Sequence, residues 1–342
     1  MNKKILLLNI LLFYALHLVA QAGTGIYTFL DLPASAHLAA MGGTNVSLSD
    51  QDINFAFTNP ALLSSETNKN LGLNYTNYLA GISFGSAIYG YNSNDYNYWA
   101  FGIRYVNYGQ FQETTPENQI IGTFSAQDYV FNLIYARPLN EKWNIGVAFQ
   151  PIYSHYENYS SLGLSANVGI HFHDENSLFD AGLVAKNIGS QITSYDAVGG
   201  TQTREPLPFE IDLGITKKFE HAPLQLTITA TNLQRWNLNF QDNNSLAASN
   251  IATTNFGNMM FRHFVFAVDL LPSNNFYLSF AYNDRRAEEM AITNTRSLSG
   301  FSGGFGLNIS HVHVGFAVAE YQVGILTYHF SLTTHLSDFG IK

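Results

Sequence analysis

The stretch "LPFEIDLGITKKFEHAPLQLTITATNL", residues 207–233, carries the reading on which the fold turns. In its first half Leu207, Phe209, Ile211, Leu213 and Ile215 alternate with Glu210, Asp212, Gly214 and Thr216. In its second half Leu224, Leu226 and Ile228 alternate with Gln225, Thr227, Thr229 and Thr231, and "EHAP" between them supplies turn residues. Side chains alternate across a strand, so a period of two predicts paired strands, each with an apolar and a polar face.

The same period recurs on both sides. "DYVFNLIYARPL" sets Tyr129, Phe131, Leu133 and Tyr135 against Val130, Asn132, Ile134 and Ala136. "HVHVGFAVAEY" sets Val312, Val314, Phe316 and Val318 against His311, His313, Gly315 and Ala317. Candidate strands fall near 71–80, 82–92, 96–108, 122–137, 143–158, 160–173, 178–188, 206–219, 223–233, 259–270, 275–285, 298–309, 311–320 and 322–334, fourteen in all.

Loop lengths sort by parity. Connections after even-numbered strands are short: "SND", "LNEK", "HDENS", "EHAP", "PSNN" and a turn near Ser310. The long ones follow odd-numbered strands: "GQFQETTPENQIIG", "NIGSQITSYDAVGGTQTRE", residues 234–258 and "NDRRAEEMAITNTRS". Short periplasmic turns facing long outer loops mark a membrane barrel, and a soluble sandwich has no reason for such sorting. The strands often run ten residues or more, matching the roughly nine to eleven that cross a bilayer at a tilt. Tyr96, Tyr98 and Trp99, and Tyr153, Tyr156 and Tyr159, cluster near strand ends as an interfacial girdle does. These patterns predict an all-β, transmembrane, 14-stranded antiparallel barrel. A secreted all-β protein is the competing reading.

Composition agrees. Of 342 residues, 14% are aromatic and 12% charged, about half the charged share of ordinary soluble chains. Mean hydropathy is −0.02, because lipid-facing and lumen-facing residues cancel. The absence of Cys excludes disulfide and thiolate chemistry, and the net charge of −9 argues against nucleic acid as a partner. At the N-terminus Lys3 and Lys4 precede the apolar run "ILLLNILLFYALHLV" and "AQA" at 20–22. That is the layout of a secretory signal cut near Ala22, with a retained membrane helix as the alternative. The expected organisation is a signal peptide at 1–22, an N-terminal hatch or plug at 23–70, and the barrel at 71–342.

The segment ahead of the first strand, "LAAMGGTNVSLSDQDINFAFTNPALLS" at 38–64, is too apolar for a linker. Asn59 suits a helix N-cap and Pro60 the first helical position. With Met41, Gly42, Gly43, Asn59, Pro60 and Ala61, it resembles the N-terminal region of the FadL-like outer-membrane barrels. The block over residues 27–90 is most similar to the PorQ- and PorV-type barrels of the type IX secretion system of Bacteroidota. That resemblance implies a fourteen-stranded barrel with a hatch in its lumen. It also implies a non-enzymatic anchor for PorZ- and PorU-like surface proteins, with PorV a further partner. Such a complex trims secreted cargo and joins it to anionic lipopolysaccharide, the catalysis belonging to the PorU-like member.

Other candidate residues have plainer roles beside the functional ones. Arg104, Glu210, Asp212, Asp269, His311 and His313 are expected to face the lumen and to tie the hatch to the wall rather than line a conduit. The pairs His171/His173 and His311/His313 invite a metal reading, with Asp174 near the first. They fall on strands six and thirteen, opposite walls of a ring of fourteen, so no metal site is expected. Nothing selects a catalytic residue or a cofactor. "GGFGLN" at Gly303 lacks the setting of a nucleotide fingerprint and reads as strand. Arg235, Trp236, Arg285 and Arg286 lie in the long loops and are the candidates for partner binding. Two functions stay open: the secretion anchor, and a passive FadL-like channel for hydrophobic compounds. Lumen faces that read as Gly, Ala, Ser, Thr and charges, without an apolar cluster, lean against the channel.

Overall fold

The computed structural model describes residues 25–50, 52–195, 204–238, 255–290 and 298–340. The expected signal segment and much of the long loops lie outside the described residues. Fourteen antiparallel strands form one closed barrel. They are β1 (Asn70–Asn77), β2 (Ser83–Asn94), β3 (Asn97–Thr114), β4 (Ile120–Pro138), β5 (Trp143–Tyr156), β6 (Tyr159–Asp174), β7 (Phe179–Thr193), β8 (Glu210–Lys218), β9 (Leu224–Ala230), β10 (Phe264–Ser273), β11 (Phe276–Asn283), β12 (Phe301–Ile309), β13 (Val312–Gln322) and β14 (Ile325–His335). Each strand pairs with its sequence neighbours, and β1 pairs with β14 from Asn70↔His335 to Asn77↔Tyr328. Closure leaves no edge with unpaired backbone groups, which hydrocarbon could not solvate.

The burial pattern inverts that of a soluble sheet. Along β8 the buried residues are Asp212, Gly214 and Thr216, whereas Leu213 and Ile215 face outward. The same inversion puts Leu73, Phe101, Phe131, Phe149, Val168, Leu183, Leu226, Phe280, Phe305 and Phe330 on the outside. Such a belt belongs in a bilayer, where apolar surface costs nothing to expose.

Two strand starts differ from the sequence reading. The ladder between β7 and β8 starts at Lys186↔Glu210. Pro206 and Pro208 carry no N–H for it, and Leu207 turns into the lumen instead of lying on the outer face. Residues expected to open the tenth strand form a short helix, α2 (Phe256–Phe261), and the strand starts at Phe264. The wall is uneven in height: β3 and β4 run 18 and 19 residues, β8 and β9 only 9 and 7. Above Asn107 β3 pairs with β4 alone, so the β3–β4 hairpin stands clear of the rim.

The buried core lies inside the barrel. Residues 25–50 and 52–69 occupy the lumen as short turns and one small helix, α1 (Ala36–Ala40).

Candidate functional site

The N-terminal segment runs through the lumen from the long-loop end to the short-turn end. At the long-loop end the Ile26 N–H donates to Pro206 O at 3.0 Å. Tyr27, Phe29 and Leu30 then pack with Leu207 on Phe84, Val106, Val130 and Ile152, four inward residues of β2–β5. Register gathers them, since Phe84 pairs with Val106 and Val130 with Ile152. This apolar patch corrects the expectation that the lumen has none. Each of the four strands contributes one such residue, so no single stretch of sequence displays it.

Lower down, Ser35 caps α1, its Oγ accepting the Leu38 N–H at 3.3 Å. Ala36, Ala39 and Ala40 press against Ala317, and the Ala36 N–H donates to Ser331 Oγ of β14 at 2.7 Å. After the buried Met41 the chain reverses at Gly42 and Gly43, with φ of 87° and 100°, a region that costs glycine nothing. The Gly42 carbonyl accepts from Arg286 Nη2 at 2.9 Å and Asn283 Nδ2 at 3.1 Å. Arg286 also covers the Tyr321 ring at 4.3 Å. It stands on a short helix, α3 (Asp284–Glu289), where Arg285 pairs with Glu289 at 2.7 Å. The expectation of a partner-binding loop is thus corrected for Arg286, which points into the molecule and holds the glycine turn.

Asn59 makes two bonds with its one amide. Its Oδ1 accepts the Ala61 N–H at 3.0 Å, capping the turn Pro60–Leu62, and its Nδ2 donates to Val46 O at 2.7 Å. Asn144 Nδ2 of β5 donates to Ala61 O and Leu63 O at 2.6 and 2.7 Å. The wall makes room for this motif with glycines. A Cβ on Gly146 would strike the Pro60 backbone, one on Gly169 the Asn59 side chain, and one on Gly182 the Val46 carbonyl.

Charged groups divide between two chambers. The upper, about 310 Å³, is lined by Asp31, Arg104, Lys186, Glu210, Asp212 and Arg286 among others. Lys186 Nζ bridges Glu210 at 2.8 Å and Asp212 at 2.7 Å, and Arg104 Nη1 donates to Leu30 O at 2.9 Å. Sequence reading found both carboxylates but missed Lys186, although its even-numbered position on β7 places it on the inward face with Asp180, Gly182 and Val184. Burial, then the neighbouring Glu210, holds the Asp31 carboxyl well above the usual carboxylate range.

The lower chamber, about 700 Å³, opens at the short-turn end and is lined by His37, Asp50, Asp52, Asp180, Asp269 and His313 among others. Asp269 accepts from Ser279 and from Gln225 Nε2 at 3.0 Å, and lies 3.6 Å from His37 Nε2. Burial disfavours charge on His37, but Asp269, helped by Asp50 and Asp52, outweighs it and raises the pKa. The His313 ring stacks on Tyr277 at 5.7 Å. His311 falls not on a strand but in the turn between β12 and β13, exposed at the mouth of this chamber, 3.5 Å from Asp338. His171 and His173 share Asp180, at 3.4 and 2.6 Å, while Asp174 turns away to Lys142 at 3.0 Å. Among the described residues no group of three or more His, Asp or Glu is placed to hold a metal ion.

Outside the lumen, Trp236 is half exposed and stacks between Phe256, at 4.9 Å, and His263, at 5.4 Å. Arg235 precedes it in the turn after β9, and the rest of that loop, 239–254, lies outside the described residues.

No protein-family model matches the sequence, and no curated protein does either. Solved structures do match in fold. Two crystal structures of the toluene transporter TodX of Pseudomonas putida have TM-scores of 0.51 and 0.52, at 11% and 10% identity. In both, 89% of this chain and 97% of TodX are covered. A Pseudomonas aeruginosa FadL homologue matches at a TM-score of 0.48 and 12% identity, over 92% of this chain and all of that one. The architecture is that of the FadL-like barrels: fourteen antiparallel strands, closed, with few helices.

Proposed function

We propose that this chain is a non-enzymatic outer-membrane channel for small hydrophobic compounds, held shut by its own N-terminal segment. The observation that carries the reading is the apolar patch of Phe84, Val106, Val130 and Ile152, covered by Phe29. An inward wall has no need of apolar residues unless something apolar lies on it, and here the occupant is an aromatic ring of the same chain. If the arm 25–32 lifted, the patch would take a ring of similar size from outside. The fold likeness to a toluene transporter supports the reading, and the outward apolar belt supports the location. The test is entry of labelled toluene into intact Gram-negative cells that lack hydrocarbon channels of their own, with and without this protein. Phe29→Ala is expected to speed entry over the wild type. Entry no faster than in cells without the protein, for both forms, would refute the channel.

A second reading, the secretion anchor, is favoured by a different feature. The lower segment is clamped between wall glycines, as a static seal requires. In that role the partners are PorZ- and PorU-like surface proteins, with PorV and lipopolysaccharide nearby. Purification from solubilised outer membranes tests it: surface proteins that leave when the loops 196–203 and 239–254 are deleted support an anchor. A chain that purifies alone refutes it.

A further inference from the structure

On the lipid side of β4–β8 lies a groove of about 450 Å³, within the usual size of ligand pockets, roughly 300–1,000 Å³. Register builds it. Tyr135, Val147, Val168, Ala185 and Ile211 pair in turn into one row across the five strands. Neighbours in such a row stand about 4.8 Å apart, so the methyl group of Ala185 leaves a gap between Val168 and Ile211. The lining is apolar, and the Tyr135 hydroxyl is already spent on Asn97 Oδ1 at 2.6 Å. The floor includes the backbone of Gly146 and Gly169, whose inner side receives the Asn59–Pro60 turn. One row nearer the short turns, Arg137 pairs with Ile145, a further residue of the groove. Arg137 is the last residue but one of β4 and is exposed on the outer face. It makes no hydrogen bond or ion pair among the described residues. Lys217, the other outward cation of the described strands, gives its ammonium to Ser177 O. Trp143, half exposed, stands diagonally across from Arg137, a separation that long and aromatic side chains bridge.

We infer that this groove is a binding site for one glycerophospholipid of the leaflet at the short-turn end, an acyl chain lying in the groove and the phosphate on Arg137, with Trp143 beside it. A charge on the lipid side of a barrel is costly unless it reaches the headgroups, and a guanidinium takes a phosphate through two parallel hydrogen bonds. The occupant must be amphipathic, since an unpaired cation stands at one end of a surface that otherwise offers no free polar group. The bilayer supplies such molecules in contact with the outward apolar belt. There the lipid lies back to back with the hatch, across one thickness of backbone. The site is outside the barrel, so it stands whether or not the lumen transports anything.

The test is native mass spectrometry of the full chain, delipidated in detergent and titrated with phosphatidylglycerol or with diacylglycerol of the same acyl chains. One phosphatidylglycerol is expected to stay bound, at least tenfold more tightly than diacylglycerol. Arg137→Gln should lose that preference, and Ala185→Phe, which fills the groove, should weaken both lipids at least tenfold. Both changes face the lipid, and the heat-modifiable band on unheated SDS gels checks that each variant folds. Lys217→Gln is expected to bind as the wild type does. Diacylglycerol bound as tightly as phosphatidylglycerol, affinities unchanged in Arg137→Gln or in Ala185→Phe, or an equal loss in Lys217→Gln overturns the inference.

Discussion

The two halves of the N-terminal segment are held by different physics. The upper arm, Tyr27–Leu30, lies chiefly on an apolar patch of the wall, an attraction without direction, although the Tyr27 ring also packs over Gly163 and meets Ser161, and Arg104 donates to Leu30 O. The lower turn around Asn59–Pro60–Ala61 sits against Gly146, Gly169 and Gly182, at distances no side chain allows, with hydrogen bonds that fix its orientation. The difference teaches where movement is possible. An apolar arm can be exchanged for a competitor at modest cost, whereas a turn keyed into missing side chains has one place to go.

The largest effect is expected where the keyed half is broken. Gly182→Val would drive a side chain into the Val46 carbonyl. The cost is expected to exceed about 3 kcal/mol, the top of the usual overpacking range, and the folded, heat-modifiable band on unheated SDS gels should disappear. A folded band of wild-type thermal stability would show that the turn is not keyed. Phe29→Ala removes the ring from the apolar half and should cost about 3 kcal/mol. Here the folded band should survive, with a lower Tm and a site newly open to small aromatics. If Phe29→Ala disrupted folding as completely as Gly182→Val, the two halves would not differ.

A smaller loss follows from Asn59→Ala, which removes a cap worth about 1 kcal/mol and leaves Val46 O without its donor. Hydrogen exchange should then quicken at Ala61 and Leu62 but not at Leu30. The smallest effect is a dependence on pH. His37 faces Asp269, with Asp50 and Asp52 beyond and Tyr277 and His313 packed near it. Its pKa is raised in the folded state. The stabilisation is therefore complete below the unfolded value of about 6.5 and is lost as pH rises through the raised one. Melting followed from pH 5 to 9 should show this decline in the wild type and a flatter profile in His37→Gln. Identical profiles would remove His37 from the account.

Much of the barrel was legible in the sequence because its signals are local. A period of two is visible within one strand, and Glu210, Asp212 and Asp269 could be assigned to the lumen by parity alone. What stayed hidden depends on register between strands. Phe84, Val106, Val130 and Ile152 become a patch only when four strands are aligned. Lys186 becomes the partner of Glu210 and Asp212 only because β7 and β8 are paired there. Arg286 read as a loop residue because nothing near it in sequence shows that Gly42, 244 positions earlier, lies against it. His311 was assigned to a strand face because "HVH" continues the alternation, but the turn takes that residue.

The seam between β1 and β14 fixes an order of assembly. Every other pairing joins neighbours in sequence, whereas this one joins the two ends of the sheet. The segment it encloses leads directly into β1 and is bonded to β14 through Ala36 and Ser331. Once the seam has shut, a chain of this bulk has no way in past its own wall. It must be in place while the sheet is still open, and it presents β14 with part of the surface on which it docks. The lumen residues are therefore a former around which the cylinder is wound, and a chain shortened by residues 25–69 should be slow to join its last two edges.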